Sequence, residues 1–308
     1  MDITAGQSAK PGFGDYALLI FLAAVLASNF TATSLSAAEL PAGVIVSGRL
    51  VIAAVVLCGV MFYYRMRFPA FGSVWVPLVL SALFGHTLPF SLLAWTQQSL
   101  DAGITAIMMA TMPLLTLLLA QLFTRDEKPN RYSIIGFGLA LVGIVVLIGP
   151  EKVLSLADQS LRQYAAMGAA VCYGINAIVT KSLTGLAWQQ TSAAFMTLAF
   201  LMSLPLLLLT DLSTVDASSK AWLAVAYSGF FATALAAVVI IIVVRRTTAS
   251  FLSQINFMIP VFGVVFAGIL LGEVLPPNGT VALLIILAGV ALARRRPKRK
   301  LISINKGG

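Results

Sequence analysis

Lone polar side chains inside long apolar runs are where this chain could do chemistry. Asn29, Thr33 and Ser36 stand at i, i+4 and i+7, and Tyr173, Asn176 and Thr180 at i, i+3 and i+7. Each set forms one stripe of one helix. Amide and hydroxyl groups in such stripes can hydrogen-bond the carboxylate and amine of a zwitterion, or they can tie helices together at about 0.6 kcal/mol per bond. Both readings stand. His86 is the single histidine, with Phe90 on the same helical face and Pro89 freeing the carbonyl of Gly85. An imidazole there can line a cavity, couple to protons or be satisfied by a neighbouring helix. Arg49 lies roughly 12 Å of helix rise from the outer end of its run. Its guanidinium can meet a substrate carboxylate. The structural alternative is snorkelling, or pairing with carbonyls or an outer acid such as Glu39 or Asp101. Asn256, one turn before Pro260, is a further donor, and its counterpart Met109 lies beside Met108 and Met112 in an adaptable apolar surface. Pro113 and Pro260 break helix bonds near the middle of their runs and are hinge candidates.

The elements that must hold these residues belong in a bilayer. The chain has 308 residues, 59% hydrophobic and 10% charged, with mean hydropathy +0.97. Soluble domains carry about a quarter charged residues. Apolar runs long enough for ~30 Å of hydrocarbon fall at 16–38, 42–64, 74–97, 102–123, 132–149, 164–182, 187–209, 221–244, 249–271 and 277–293. With both termini cytoplasmic, only Lys152, Arg162 and Lys220 lie in outer loops, and Arg49 lies within a span. Every other basic residue is then inside, as the positive-inside rule demands. The net charge of +9 is spread over short loops and a tail and forms no nucleic-acid face. Cys58 and Cys172 stand alone, so neither a disulfide nor a metal site is expected. No phosphate-binding glycine loop is present, and no cofactor is implied.

Sliding the sequence over itself by 147 residues superposes Asn29 on Asn176, Thr33 on Thr180, Trp75 on Trp222, Ser81 on Ser228, Phe84 on Phe231, Ala102 on Ala249 and Pro113 on Pro260. A shift of 146 then matches Glu127 to Glu273 and Gly143 to Gly289. Five spans per repeat is an odd number, so the second half enters the membrane inverted. The expected fold is an all-α polytopic protein of ten transmembrane helices, in two inverted five-helix repeats around a central cavity. The expected units are a cytoplasmic tail over 1–15, the first repeat over 16–149, the second over 164–293 and a basic cytoplasmic tail over 294–308. Inverted repeats around a midplane site characterise secondary transporters.

Paired Pro113/Pro260 and Glu127/Glu273, with Leu141-Val-Gly143 and Leu287-Ala-Gly289 in the last helix of each half, resemble the drug/metabolite transporter superfamily in its EamA-type branch. Within it, the chain most resembles the bacterial YddG-like amino-acid exporters, over roughly residues 15–295. That resemblance implies a basket of ten helices, a central cavity and efflux of aromatic and other amino acids through the inner membrane. The expected lining is Asn29, Thr33, His86, Phe90, Tyr173, Asn176 and Asn256. All eleven acidic residues lie at span ends, in loops or in tails, which suits a neutral zwitterion better than a lipophilic cation. Export of another solute (a purine, a cationic drug, a sugar phosphate) stays open. A membrane-embedded lipid enzyme or a scaffold is the remote alternative. Small-molecule substrate and membrane lipid are the expected partners, and a monomer the expected functional unit.

Overall fold

A computed structural model describes residues 11–123, 131–148, 158–183 and 185–293. Glu127, Lys10, the Gly149-Pro150 break and the basic tail from Arg294 onward lie outside the described residues. Among the described residues the chain is helical throughout, because a backbone in hydrocarbon must satisfy its own donors and acceptors. Ten helical segments follow one another: α1 (Phe13–Ala37), α2 (Ala42–Tyr63), α3 (Trp75–Thr96), α4 (Ala102–Met109 and Met112–Phe123), α5 (Arg131–Ile148), α6 (Asp158–Val179), α7 (Trp188–Leu208), α8 (Ser219–Arg246), α9 (Ala249–Leu252 and Ile255–Leu271) and α10 (Pro277–Ala293).

Six of these, α1 to α4, α7 and α8, are long and apolar enough on their own to cross a membrane. Ile134–Leu147, Ile255–Leu271 and Pro277–Ala293 are shorter apolar stretches. The sixth begins at Asp158, earlier than the expected 164, and is the least apolar of the set. Prolines and glycines set the ends. Pro41 precedes α2, Pro277 opens α10, and Gly272 at φ 69° closes α9, a left-handed conformation that a side chain would strain. Ser218 caps α8 by accepting from the Ala221 amide at 3.3 Å. Large apolar side chains such as Val55, Leu122, Leu223, Ile269 and Leu284 remain exposed around the outside, where lipid is their solvent.

Packing repeats with the sequence. Helices α2 and α7, α4 and α9, and α5 and α10 each pack on their own repeat mate. The contact of α1 with α8 and α9 recurs as α6 with α3 and α4, and that of α2 with α8 recurs as α7 with α3. Exchanging the halves leaves this pattern unchanged, so a pseudo-twofold axis relates them. The same holds at atomic detail between α5 and α10. A Cβ added to Gly143 would meet Ile286 and the Ala282 carbonyl, and one added to Gly289 would meet the Gly136 carbonyl at 2.6 Å. Those two contacts are images of each other under the 146-residue shift. In α4, Ala102, Ala106 and Ala110 are all buried, and Gly263 of α9 sits so close that its Cβ would stand 2.5 Å from that of Ala106. Small residues at this spacing let the backbones approach.

Inversion follows from which ends meet. Thr96 Oγ1, at the end of α3, donates to the Arg162 carbonyl at 3.0 Å, near the start of α6. Three helices separate the start of α1 from that point, so the second half starts on the opposite side from the first. The α1–α2 loop joins the α7–α8 loop on that same side, through Glu39 and Ser218. At the other side Gln190 Nε2 donates to the Arg67 carbonyl at 2.8 Å.

Candidate functional site

Arg49 points inward from the middle of α2 and is 4% exposed. Its Nη2 donates to Thr233 Oγ1 at 2.9 Å, and its guanidinium lies 3.7 Å from the centre of the Phe90 ring. Thr233 in turn donates to the Ser228 carbonyl at 2.8 Å. Neither expected outer acid reaches it. Glu39 accepts from the Ser218 amide at 2.6 Å and its hydroxyl at 2.9 Å, and Asp101 is exposed at the head of α4. Arg49 is therefore no snorkelling residue. Seven residues separate it from Ala42, about 10 Å of rise, and its side chain turns toward α3 and α8. Glu273 is also spoken for, accepting from the Ala102 and Gly103 amides at 2.9 Å each, where a helix start favours negative charge.

His86 sits beside this group because α3 is locally widened. Residues Leu83–Thr87 form a π-turn, and Phe230–Leu235 form another in α8. The two are 147 residues apart, so the bulge belongs to the repeat. His86 Nδ1 bonds the Ser81 carbonyl, five residues back, at 3.3 Å, and Thr233 does the same to Ser228. His86 and Thr233 are repeat mates, as are Ser81 and Ser228. A carbonyl only accepts, so Nδ1 carries the hydrogen and Nε2 of the neutral ring is the free acceptor. Pro89 was the expected source of irregularity, but α8 has Ala236 at the matching position and bulges as well. The shared feature is a side-chain donor on the wider turn that bonds the carbonyl five residues back. The imidazole stacks on Phe195 of α7 at 4.8 Å and 16°, and meets Phe90 edge-on at 5.6 Å.

Asn176 closes this group from α6. Its amide lies against Gly85, where a Cβ would come within 2.7 Å of Nδ2. Its Oδ1 is buried without a hydrogen-bond partner, as is that of its mate Asn29. The mates Ser81 and Ser228 share the same condition at Oγ. Tyr173 packs against the apolar clusters of both ends of the bundle and lies within electrostatic reach of Arg49. Thr33 is buried on α1.

Other expected members are placed differently. Ser36 spends its hydroxyl on the Ala32 and Thr33 carbonyls, and Thr180 is exposed with its hydroxyl on Asn176 O. Asn256 is half-buried on α9, and no hydrogen bond among the described residues ties it to the Arg49–His86 group. Met108 and Met109 are packed into the core with α5, α6 and α10. The hinge candidates lie downstream of the actual interruptions, which fall at Ala110–Thr111 and Ser253–Gln254. Pro113 stands in the first turn after its break, where a missing N–H is harmless, while Pro260 lies inside a continuing helix.

Sequence reasoning missed Thr233 and Phe195 as members of this group. Thr233 carried a usable signal, since it is the 147-residue counterpart of His86. Phe195 carried none: its counterpart is Gly48.

The arrangement offers a buried cation, aromatic faces and the unpartnered amide oxygen of Asn176, contributed by both halves. The chain matches the EamA-like transporter family twice, over residues 15–149 and 163–295. Its relatives include a "Probable terminal-alkyne amino-acid exporter" of Streptantibioticus cattleyicolor, 26% identical over 67% of this chain and 68% of that protein. A "Probable amino-acid metabolite efflux pump" of Salmonella typhimurium is 26% identical over 70% of this chain and 76% of its own length. The "Uncharacterized transporter YoaV" of Bacillus subtilis is 22% identical over 78% and 83%. A solved crystal structure shares the fold at a TM-score of 0.64 and 20% identity, covering 92% of this chain and 97% of its own. With both halves matched, the chain belongs to the EamA-like transporter family.

Proposed function

We propose that this transporter exports small neutral and aromatic amino acids across the bacterial inner membrane, by alternating access of its two inverted halves around the Arg49–His86–Asn176 group. The carrying observation is the pair of buried, unpartnered amide oxygens of Asn29 and Asn176, one from each half. Acceptors left unmade in a membrane interior are costly, and a substrate ammonium would satisfy them. The stacked faces of His86, Phe195 and Phe90 provide a surface for an apolar or aromatic side chain. Thr33, Tyr173 and Asn256 complete the proposed lining, with Asn256 reached as α9 moves. Among the described residues every carboxylate sits at a helix end or loop, which counts against a proton-coupled exporter of lipophilic cations. A single interior arginine is poor provision for a sugar phosphate. Two relatives bear the names of amino-acid exporters or efflux pumps, and the reading extends that to this chain. The basic bias of the sequence supports a cytoplasmic position for both termini, and the residues of the group all come from one chain, which supports a functional monomer.

Counterflow in liposomes tests the reading. Purified protein preloaded with unlabelled phenylalanine, threonine or methionine should accumulate the labelled amino acid above protein-free vesicles. Accumulation of another solute class with no amino-acid flux would overturn it.

A further inference from the structure

We infer that Arg49 is the carboxylate anchor of the transported solute, so that the site selects compounds bearing a monoanionic carboxylate. The inference rests on reading the interior group as the substrate site. A guanidinium stays charged in any protein setting and offers five donors. At 4% exposure this one has, among the described residues, a single hydrogen bond, to Thr233, and a ring face against it, while Nε is buried with no partner. No carboxylate among the described residues reaches it; Glu39 and Glu273 are bonded at helix ends. A buried cation without a counter-ion is destabilising, and an aromatic face offsets only part of that. The missing element is a planar anion that can take the free donors, and a carboxylate matches the fork. Phosphate fits less well, because among the described residues no second cation joins Arg49. The anchor lies on the first half and its hydroxyl tether, Thr233, on the second. An entering carboxylate therefore engages the seam on which the halves move.

Binding of three phenyl compounds to the purified full-length protein tests this: phenylalanine, phenylpropionate (no ammonium) and phenethylamine (no carboxylate). The wild type should bind both carboxylates at least about tenfold more tightly than phenethylamine, the scale of a charged hydrogen bond. Arg49→Gln should bring phenylalanine and phenylpropionate down to the phenethylamine level, with Arg49→Lys between. Phenethylamine binding as tightly as phenylpropionate in the wild type would overturn the inference without any variant, so a misfolded Arg49→Gln does not shelter it. Phenylalanine binding equally to wild type and Arg49→Gln would also overturn it while leaving amino-acid export intact. Arg49-dependent binding of phenylpropionate by a protein that moves no amino acid would support the anchor and refute the export reading. Binding of none of the three refutes the anchor.

Discussion

Thr233 illustrates how one hydroxyl can hold two helices. It donates to the carbonyl of Ser228 and accepts from Arg49, so its loss removes a bond to that carbonyl and leaves the cation with no hydrogen bond among the described residues. Thr233→Val, which keeps the shape, should lower stability by about 1–3 kcal/mol, and Thr233→Ser should restore most of it. Thermal unfolding in detergent measures this; a Val variant as stable as wild type would contradict the bridging role. Glu39 makes the corresponding prediction at the surface. Hydrogen bonds from Ser218, backbone first and hydroxyl second, hold its carboxyl below the usual 4.5. A depressed carboxyl stabilises fully above its unfolded value and loses that contribution as pH falls through the lower, folded value. The melting temperature should therefore show no Glu39-dependent change from pH 5.5 to 8, and Glu39→Gln should melt lower than wild type there. Equal melting of the two at pH 7 would contradict the tie. At this scale Asn29, His86 and Asn176 were legible, because a lone polar residue in an apolar run is conspicuous. The surroundings of Arg49 were not, because its partners Thr233 and Phe90 arrive from other helices.

Helix boundaries were legible to within a few residues where hydropathy and Pro or Gly punctuation mark them, but not at the start of α6, whose polar first turns from Asp158 precede the apolar run. The π-turns were hidden: the polar residues of Leu83–Thr87 carry no signal of a wider turn, Phe230–Leu235 reads as ordinary apolar helix, and the attention drawn by Pro89 pointed to a cause that α8 does not share. The breaks in α4 and α9 likewise precede their prolines. In α4, Thr111 Oγ1 satisfies the Met108 carbonyl at 2.7 Å and so supports the interruption locally. Gly143 and Gly289 were legible as repeat mates, but their close contacts between α5 and α10, with Ala282 and Gly136, required the fold. A Cβ on Gly136 would meet the Gly289 carbonyl at 2.5 Å, whereas one on Gly138 meets nothing within 4 Å. Gly136→Ala should therefore destabilise by about 1–3 kcal/mol through overpacking, and Gly138→Ala should not. Equal melting temperatures for the two variants would show that the helices have room to separate.

The molecule as a whole is organised by exchange symmetry. The 147-residue shift exposed the repeat, and an odd number of spans per half required inversion. How the halves interlock, with α2 on α7 and α5 on α10 while α1 and α6 cross to the opposite half, was not legible, because a self-comparison reports likeness and carries no information on contact. Symmetry also explains why four of the seven unpartnered polar atoms among the described residues fall into two pairs, Asn29 with Asn176 and Ser81 with Ser228. At these four positions the two halves carry the same chemistry, whereas Arg49 and His86 have Met196 and Thr233 at the matching positions. Single cysteines replacing Asn29 and Asn176, in a background with Cys58→Ser and Cys172→Ala, measure this most directly. A membrane-impermeant maleimide applied to right-side-out and to inside-out vesicles should label each position from both faces, and phenylalanine should protect both. Labelling of either position from one face only, unchanged by phenylalanine, would contradict alternating access around this group.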